Sequence, residues 1–408
     1  MAVAFVASLD ATHAMQGVTG PLWFTPDRRR DQPVRVGLFH GGLFDSAPIQ
    51  LVPVTNPAEE EIASGEVFEA LPGQFVRRQR VVYTGVYVNE IPRVDIQRST
   101  FNIDLYLWLR FAENAGPISF DPTDIRFAGL SSGAFSHANP SEQRVMPDGT
   151  TYRLWRVDGE ARNEFDLHRF PFDSQTLRLS FYNAKADASR VVYVLDRGSV
   201  AAGGEQSLAD PADSTGGIGG RGAVASADAF RELSQWTPLS VSERRENLVT
   251  VSALGYPKAP GANPGRELSG FAVVIGVKRR ALATASKRLL PLIIMTIIMF
   301  ASLYFPHGLV KEKVTVAITA ALSGAVLLAA INNQLGSIGY TIAAEYVFYV
   351  FFGLSLLCIL SVLLAERLRG AGKDERALSV ELWAKVAFAV TVFAVLAATG
   401  YFALGASA

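Results

Sequence analysis

Glu312, Thr315, Thr319, Leu322, Val326 and Ala329 stand near the end of the chain, in steps of three, four, three, four and three. On a helix these steps keep all of them on one face. The types are graded along that face. A carboxylate comes first and attracts cations. Hydroxyls follow and can offer oxygens to a partly dehydrated ion. Leu and Val come next and form an apolar girdle that dries out when a passage narrows. A helix surrounded by lipid has no use for such a face, whereas a helix lining a narrow aqueous path does.

Other chemistry finds little support. The five histidines, His13, His40, His137, His168 and His307, are far apart and form no metal-ligand pair. Cys358 is the single cysteine, so no internal disulfide or cysteine-rich metal site forms. Gly217, Gly219 and Gly222 match G-x-G-x-x-G, but no strand precedes them and no clear helix follows. No nucleophile–base–acid set or paired carboxylates stand out, so neither an enzyme nor a cofactor is expected. Formal net charge is zero over 408 residues, which argues against nucleic acid as a main partner.

The elements that must carry the graded face are apolar. Leu289–Phe305, Val314–Ile331, Tyr346–Ala365 and Val386–Leu404 contain no Asp, Glu, Lys or Arg. Each is about long enough to cross roughly 30 Å of hydrocarbon as a helix. Lys311 and Lys313 lie between the first two runs, and Arg367, Arg369, Lys373, Arg376 and Lys385 between the last two. The remaining loop and the C-terminal tail carry no basic residue, so the positive-inside rule puts both chain ends outside. Lys278, Arg279, Arg280, Lys287 and Arg288 flank the first run on the outer side, but long domains translocate despite their charge.

Residues from about 80 to 283 read as all-β. Phe101–Leu109 alternates, Met146–Thr150 is a turn, and Thr176–Phe181, Val191–Leu195, Leu248–Leu254 and Gly270–Val277 are short strands. A sandwich is expected. The stretch from Ser199 to Asp228, rich in Gly, Ala, Ser and Asp, reads as a loop. Met1–Ala14 lacks the basic leader of a signal peptide, and the recorded start is expected to lie inside a longer protein.

Phe165-Asp166-Leu167-His168-Arg169-Phe170-Pro171-Phe172-Asp173-Ser174-Gln175 resembles the signature loop of the pentameric ligand-gated ion channels, the Cys-loop receptor family. The flanking cysteines of animal members are missing, as in the bacterial branch. The Pro147-Asp148-Gly149 turn is similar to the bacterial pattern, and Glu312–Thr319 to the start of the pore helix in cation-conducting members. The likeness covers roughly residues 80–404. The segment Glu113–Gly133 looks shorter than usual and lacks a W-x-P motif. Leu335-Gly336-Ser337 has no proline after the leucine, while Tyr340 keeps the family's spacing. Ahead of the channel pattern, Gly17–Phe24, Val34–Phe39 and Pro48–Val54 resemble the last strands of periplasmic amino-acid-binding domains.

The resemblance implies a multi-domain membrane protein, with an all-β extracellular sandwich followed by a four-helix transmembrane bundle. The expected divisions are an N-terminal extension over 1–72, a ligand-binding sandwich over 73–283 and a channel domain over 284–408. It further implies a homopentamer in a bacterial inner membrane, with the sandwich in the periplasm, passing monovalent cations. The agonist would be a small molecule or protons. Glu312 would form a ring of carboxylates. A cation about 5 Å from each would gain roughly 0.8 kcal/mol per charge at water's dielectric, or about 4 kcal/mol for five. Arg279 would pair with Asp95 and Asp173, and Phe170, Pro171, Phe172 and Tyr340 would help couple the domains. Phe181, Tyr182 and Tyr256 are the aromatic candidates for holding agonist. An anion-selective channel of the same family and a non-conducting membrane receptor are the alternatives.

Overall fold

The computed structural model describes residues 15–17, 20–22, 36–40, 43–54, 57–113, 120–133, 135–196, 215–216, 225–226, 228–250, 266–336 and 339–405. Tyr256, the Gly217–Gly222 run and the end of the expected strand Leu248–Leu254 lie outside these residues.

Residues 49–279 build a β-sandwich-like body from β1 (Ile49–Val54), β2 (Val67–Leu71), β3 (Gln74–Asp95), β4 (Thr100–Ala112), β5 (Ile125–Ala128) and β6 (Leu130–Gly133). It continues with β7 (Glu142–Val145), β8 (Thr150–Arg162), β9 (Ser174–Asp187), β10 (Val191–Leu195), β11 (Trp236–Thr250) and β12 (Arg266–Arg279). One sheet runs β6-β8-β4-β3-β10, with β7 on β8, and with β1 and β2 on β3. The other runs β11-β12-β9-β5, with Thr215–Gly216 on the free side of β11. Phe101, Ile103, Leu105, Leu107, Leu109 and Phe111 of β4 are buried at every second position. They share a core with Leu177 and Leu179 of β9 and with Phe271, Val273, Ile275 and Val277 of β12. Period-two burial is what puts one face of each sheet inward.

β3 breaks this alternation. Gln79 to Val86 are all buried. Val82 and Val86 enter the core, while Val81 and Tyr83 pack with Val192 of β10 on the other face. That second face is held by the residues before β3. The Tyr83 hydroxyl donates to the Ser46 carbonyl at 2.5 Å, and β1 pairs with β3 from Ile49↔Arg80 to Val54↔Phe75. Arg77 pairs with Glu61 of the short helix Glu59–Ala63, and Arg190 sits 3.2 Å from Glu66. The division expected after residue 72 falls in the turn joining β2 to β3, where Leu71 pairs with Gln74. Likewise Pro48–Val54, compared above with another domain's strands, supplies an edge strand of this sheet.

Four helices complete the described chain: α1 (Ala281–Ser302), α2 (Val310–Leu335), α3 (Ala343–Gly370) and α4 (Asp374–Gly405). α2, α3 and residues Asp374–Gly400 of α4 are long and apolar enough to cross a membrane. α1 supplies a shorter apolar segment, Leu289–Ser302. The first apolar run was expected to extend to Phe305 as helix, but α1 stops at Ser302, ahead of Phe305-Pro306. A residue before proline is pushed out of the helical region. α2 and α3 approach closely at Gly324, where a Cβ would lie 2.6 Å from the Phe351 ring.

Candidate pore helix and interdomain joint

α2 packs with one face. Ala317, Ala320, Gly324, Ile331 and Leu335 are buried against the other helices, and so is Lys313. Glu312, Thr315, Thr319, Leu322, Val326 and Ala329 are all exposed on the opposite side. Leu322 is 65% and Val326 69% exposed, although the stretch is apolar enough to sit in a membrane. The chain thus leaves uncovered the graded face read from the sequence.

The joint between sheets and helices centres on Arg279, the last residue of β12. Its Nε donates to Asp173 Oδ1 at 2.7 Å and its Nη2 to Asp173 Oδ2 at 3.0 Å. The side chains are 2% and 1% exposed. The guanidinium also lies over the rings of Trp236 (4.2 Å) and Phe170 (5.0 Å). Gln175 Nε2 donates to Asp173 Oδ2 at 2.7 Å and to the Asp166 carbonyl at 2.6 Å, so the pair is closed on its remaining side. A buried pair survives only with this degree of hydrogen bonding.

Asp95 does not join Arg279. It accepts from Arg93 Nη2 at 2.7 Å and from the Arg98 backbone N–H at 3.1 Å. Its role is local: it ties the β3–β4 turn. That turn still reaches the helices. Gly336, at φ 82°, ends α2 where a Cβ would meet the Gln97 carbonyl at 3.3 Å.

The loop 165–173 enters the helical core from above. Leu167 and Phe170 are buried in it with Leu335, Ile342 and Phe348. The Tyr340 hydroxyl accepts from the Leu167 N–H at 2.9 Å, and its ring stacks on His168 with centroids 3.8 Å apart. The His168 carbonyl accepts from the Ala343 N–H at 2.9 Å. Pro171 and Phe172 line an apolar cavity shared with Leu289, Tyr346, Val347 and Val395. The His168 backbone N–H donates to Asp166 Oδ1 at 3.0 Å, and the ring Nδ1 lies 2.6 Å from the same oxygen. Those bonds, the backbone one foremost, hold the Asp166 carboxyl below the usual carboxylate range.

Of the aromatic candidates for agonist, Phe181 and Tyr182 are described, and they do not share a face. Phe181 is a core residue, packed edge-on to Tyr193 (5.1 Å) and Phe127 (5.8 Å). Tyr182, the next residue of the strand, points to the other face, as strand alternation requires. Two carboxylates passed unnoticed in the sequence. Glu243 of β11 is buried between the sheets and accepts from the Val86 N–H at 2.6 Å. Burial, with a smaller push from Asp196, raises its carboxyl to about 8 against the opposing Val86 bond. Glu381, in the early turns of α4, lies 2.7 Å from Arg369 and 3.5 Å from His307. Both lie in charged sequence, Ser242–Glu246 and Asp374–Lys385, which reads as solvated surface.

A β-sandwich-like body keyed into apolar, membrane-length helices defines a membrane protein with an attached β-domain. No protein-family description matches the chain. It is similar to a proton-gated ion channel of Gloeobacter violaceus (strain ATCC 29082 / PCC 7421), with 27% identity over 132 residues. That likeness covers 28% of this chain and 36% of the relative, little more than a third of its length.

Proposed function

We propose that the chain is one subunit of a homopentameric ion channel, gated by a small ligand or by protons and selective for monovalent cations. The observation that carries this reading is the uncovered face of α2. An apolar helix in a membrane has no reason to keep Glu312, Thr315 and Thr319 in line with Leu322 and Val326. A ring of α2 helices around an axis gives that face water and ions to meet. The chain's four helices would all cross the inner membrane, with the sandwich in the periplasm. Similarity to a proton-gated ion channel supports the same reading.

Gating would be a shift in a closed–open equilibrium of the ring. The sandwich is coupled to the helices through Asp173, Arg279, Phe170 and Tyr340. Agonist binding in the sandwich would move the loop 165–173, and with it the outer ends of α2 and α3.

The test is recording from the purified protein in planar bilayers. A pH step and a panel of amines and amino acids are applied under a potassium chloride gradient. Stimulated currents reversing near the potassium potential are expected. Reversal near the chloride potential would make the channel anion-selective. Silence under every stimulus, with the assembled protein present, would leave a non-conducting receptor.

A further inference from the structure

Glu243 closes a gap in a sheet to which it does not belong. Along one edge of β3, alternate residues turn their peptide groups toward β10. The Arg80 N–H donates to the Arg190 carbonyl at 2.8 Å, and the Thr84 carbonyl accepts from the Asp196 N–H at 2.9 Å. There β10 has ended. The next backbone partner among the described residues stands at Val88, whose carbonyl accepts from the Ser226 N–H at 2.8 Å. The Val86 N–H falls between the two. Its acceptor is Glu243 Oε1 at 2.6 Å, reaching across from β11 in the other sheet. Glu243 is 3% exposed, so a buried carboxyl does the work of a strand backbone.

The surroundings favour its uncharged form. β12 faces Glu243 with Val273, its register partner, and β3 faces it with Val86. Asp196, 1% exposed at the end of β10, is a second buried carboxylate and disfavours a charge on the first. The neighbouring cation on β4 is committed elsewhere: Arg110 Nη2 donates to Asp196 Oδ1 at 2.8 Å and its Nη1 to Asp148 at 2.9 Å. Trp108 Nε1 donates to the other Asp196 oxygen at 3.1 Å. Arg245, two residues along β11 from Glu243, is exposed. A carboxylic acid keeps the bond to Val86 at no cost in buried charge, whereas a carboxylate there calls for water. The carboxyl raised to about 8 agrees with this.

We propose that Glu243 is a proton-binding site of the sandwich: the protonated carboxyl seals β3 to β11, and loss of its proton to the solvent draws water into the gap between Asp196 and Ala225 and loosens the two sheets there. The proposal rests on the channel reading above and names protons as a ligand of that channel. β11 and β12 pair from Trp236↔Arg279 to Thr250↔Arg266. The strand that carries Glu243 therefore also carries Trp236, whose ring lies 4.2 Å from the Arg279 guanidinium at the joint with the helices.

Hydrogen–deuterium exchange of the full chain in detergent tests the site without any current. It is read on peptides spanning the Val86 amide and corrected for the intrinsic effect of pH. Wild-type protection is expected to fall roughly tenfold per pH unit from pH 6, because the sealed form holds one proton more than the loosened form. The fall is expected to level off near pH 8. Glu243→Gln keeps an acceptor for the Val86 N–H and cannot ionise, so its protection is expected to stay constant over that range. Equal slopes in the two proteins overturn the proposal. Bilayer currents over the same pH range give the second reading. Wild type is expected to respond to pH, and Glu243→Gln to shift its half-response by about one pH unit or more. The same half-response in both proteins, beside the expected exchange slopes, overturns Glu243 as a site that acts on the gate. Silence of the wild type at every pH and under every other stimulus refutes the channel reading and leaves exchange to decide the proton site. If Glu243→Gln does not fold, Asp196→Asn decides. Removing the neighbouring charge is expected to move the levelling-off to lower pH, and an unmoved value overturns the proposal.

Discussion

Asp173 and Arg279 are 106 residues apart in sequence, yet they make the most enclosed ion pair described here. Removing the cation strands a carboxylate that water barely reaches. Arg279→Ala should therefore cost about 3–5 kcal/mol, the usual penalty for breaking a buried pair from one side. Arg279→Lys keeps the charge but loses the planar fork and the stacking on Trp236 and Phe170, and should cost about 1–2 kcal/mol. Thermal unfolding in detergent ranks the two, and equal midpoints would contradict the weight given to the fork. Glu243 makes a prediction in pH. Its folded pKa of about 8 lies above the model-peptide value of 4.5, so the folded state binds the extra proton between those limits. The stability it contributes is complete below pH 4.5 and falls as pH rises toward 8. Glu243→Gln keeps an acceptor for the Val86 N–H without a charge to bury. It should flatten that fall and raise stability at pH 8 by roughly 2–4 kcal/mol. Unfolding midpoints of both proteins at pH 5 and pH 8 check this.

Elements differ in how plainly the sequence announces them. The strand at Phe101–Leu109 and the helices at Val314–Ile331 and Tyr346–Ala365 were legible, because each buries a regular share of its residues. β3 was not. Covered on both faces from Gln79 to Val86, it shows no alternation, and its arginines at 77, 78 and 80 resemble surface. The graded face of α2 was legible down to single residues, as its 3.6-residue period survives in the apolar run. The partners of Asp95, which are Arg93 and Arg98, and the opposite facing of Phe181 and Tyr182 were not legible. Both depend on how a turn or a strand face sits in space, which spacing along the chain does not encode. β3 also bears on where the chain can be cut. Starting it at residue 72 removes β1 and β2 and uncovers Val81 and Tyr83. Starting it at residue 43 leaves them covered. The first truncation should lose about 2–4 kcal/mol relative to the second, given the apolar area and hydrogen bonds exposed. Equal melting midpoints would show that the early strands only decorate the sheet.

At the scale of the whole molecule, the chain leaves the graded face of α2 uncovered. Leu322 and Val326 are exposed in the same line as a carboxylate and two hydroxyls, which lipid does not suit. Several copies around an axis remove the difficulty, and a closed ring is the ordinary way identical subunits achieve it. Native mass measurement in detergent should give five times the 44.0 kDa of the chain. A stable monomer or dimer would remove the ring from the proposal.

The two hydrophobic cores are not separate. Ile96 and Phe165 pack against both the sandwich core and the helical core. Leu167 and Phe170 come from the β-domain's stretch of sequence and lie wholly within the helical core. A border drawn along the chain near residue 283 therefore does not coincide with the border in space. Transplanting either half onto a foreign partner at that point would carry four apolar plugs away from their sockets. A working hybrid needs the 96–99 turn and the 165–173 loop matched to the helices that receive them, and modules that look exchangeable on paper are exchangeable only with those two pieces reassigned.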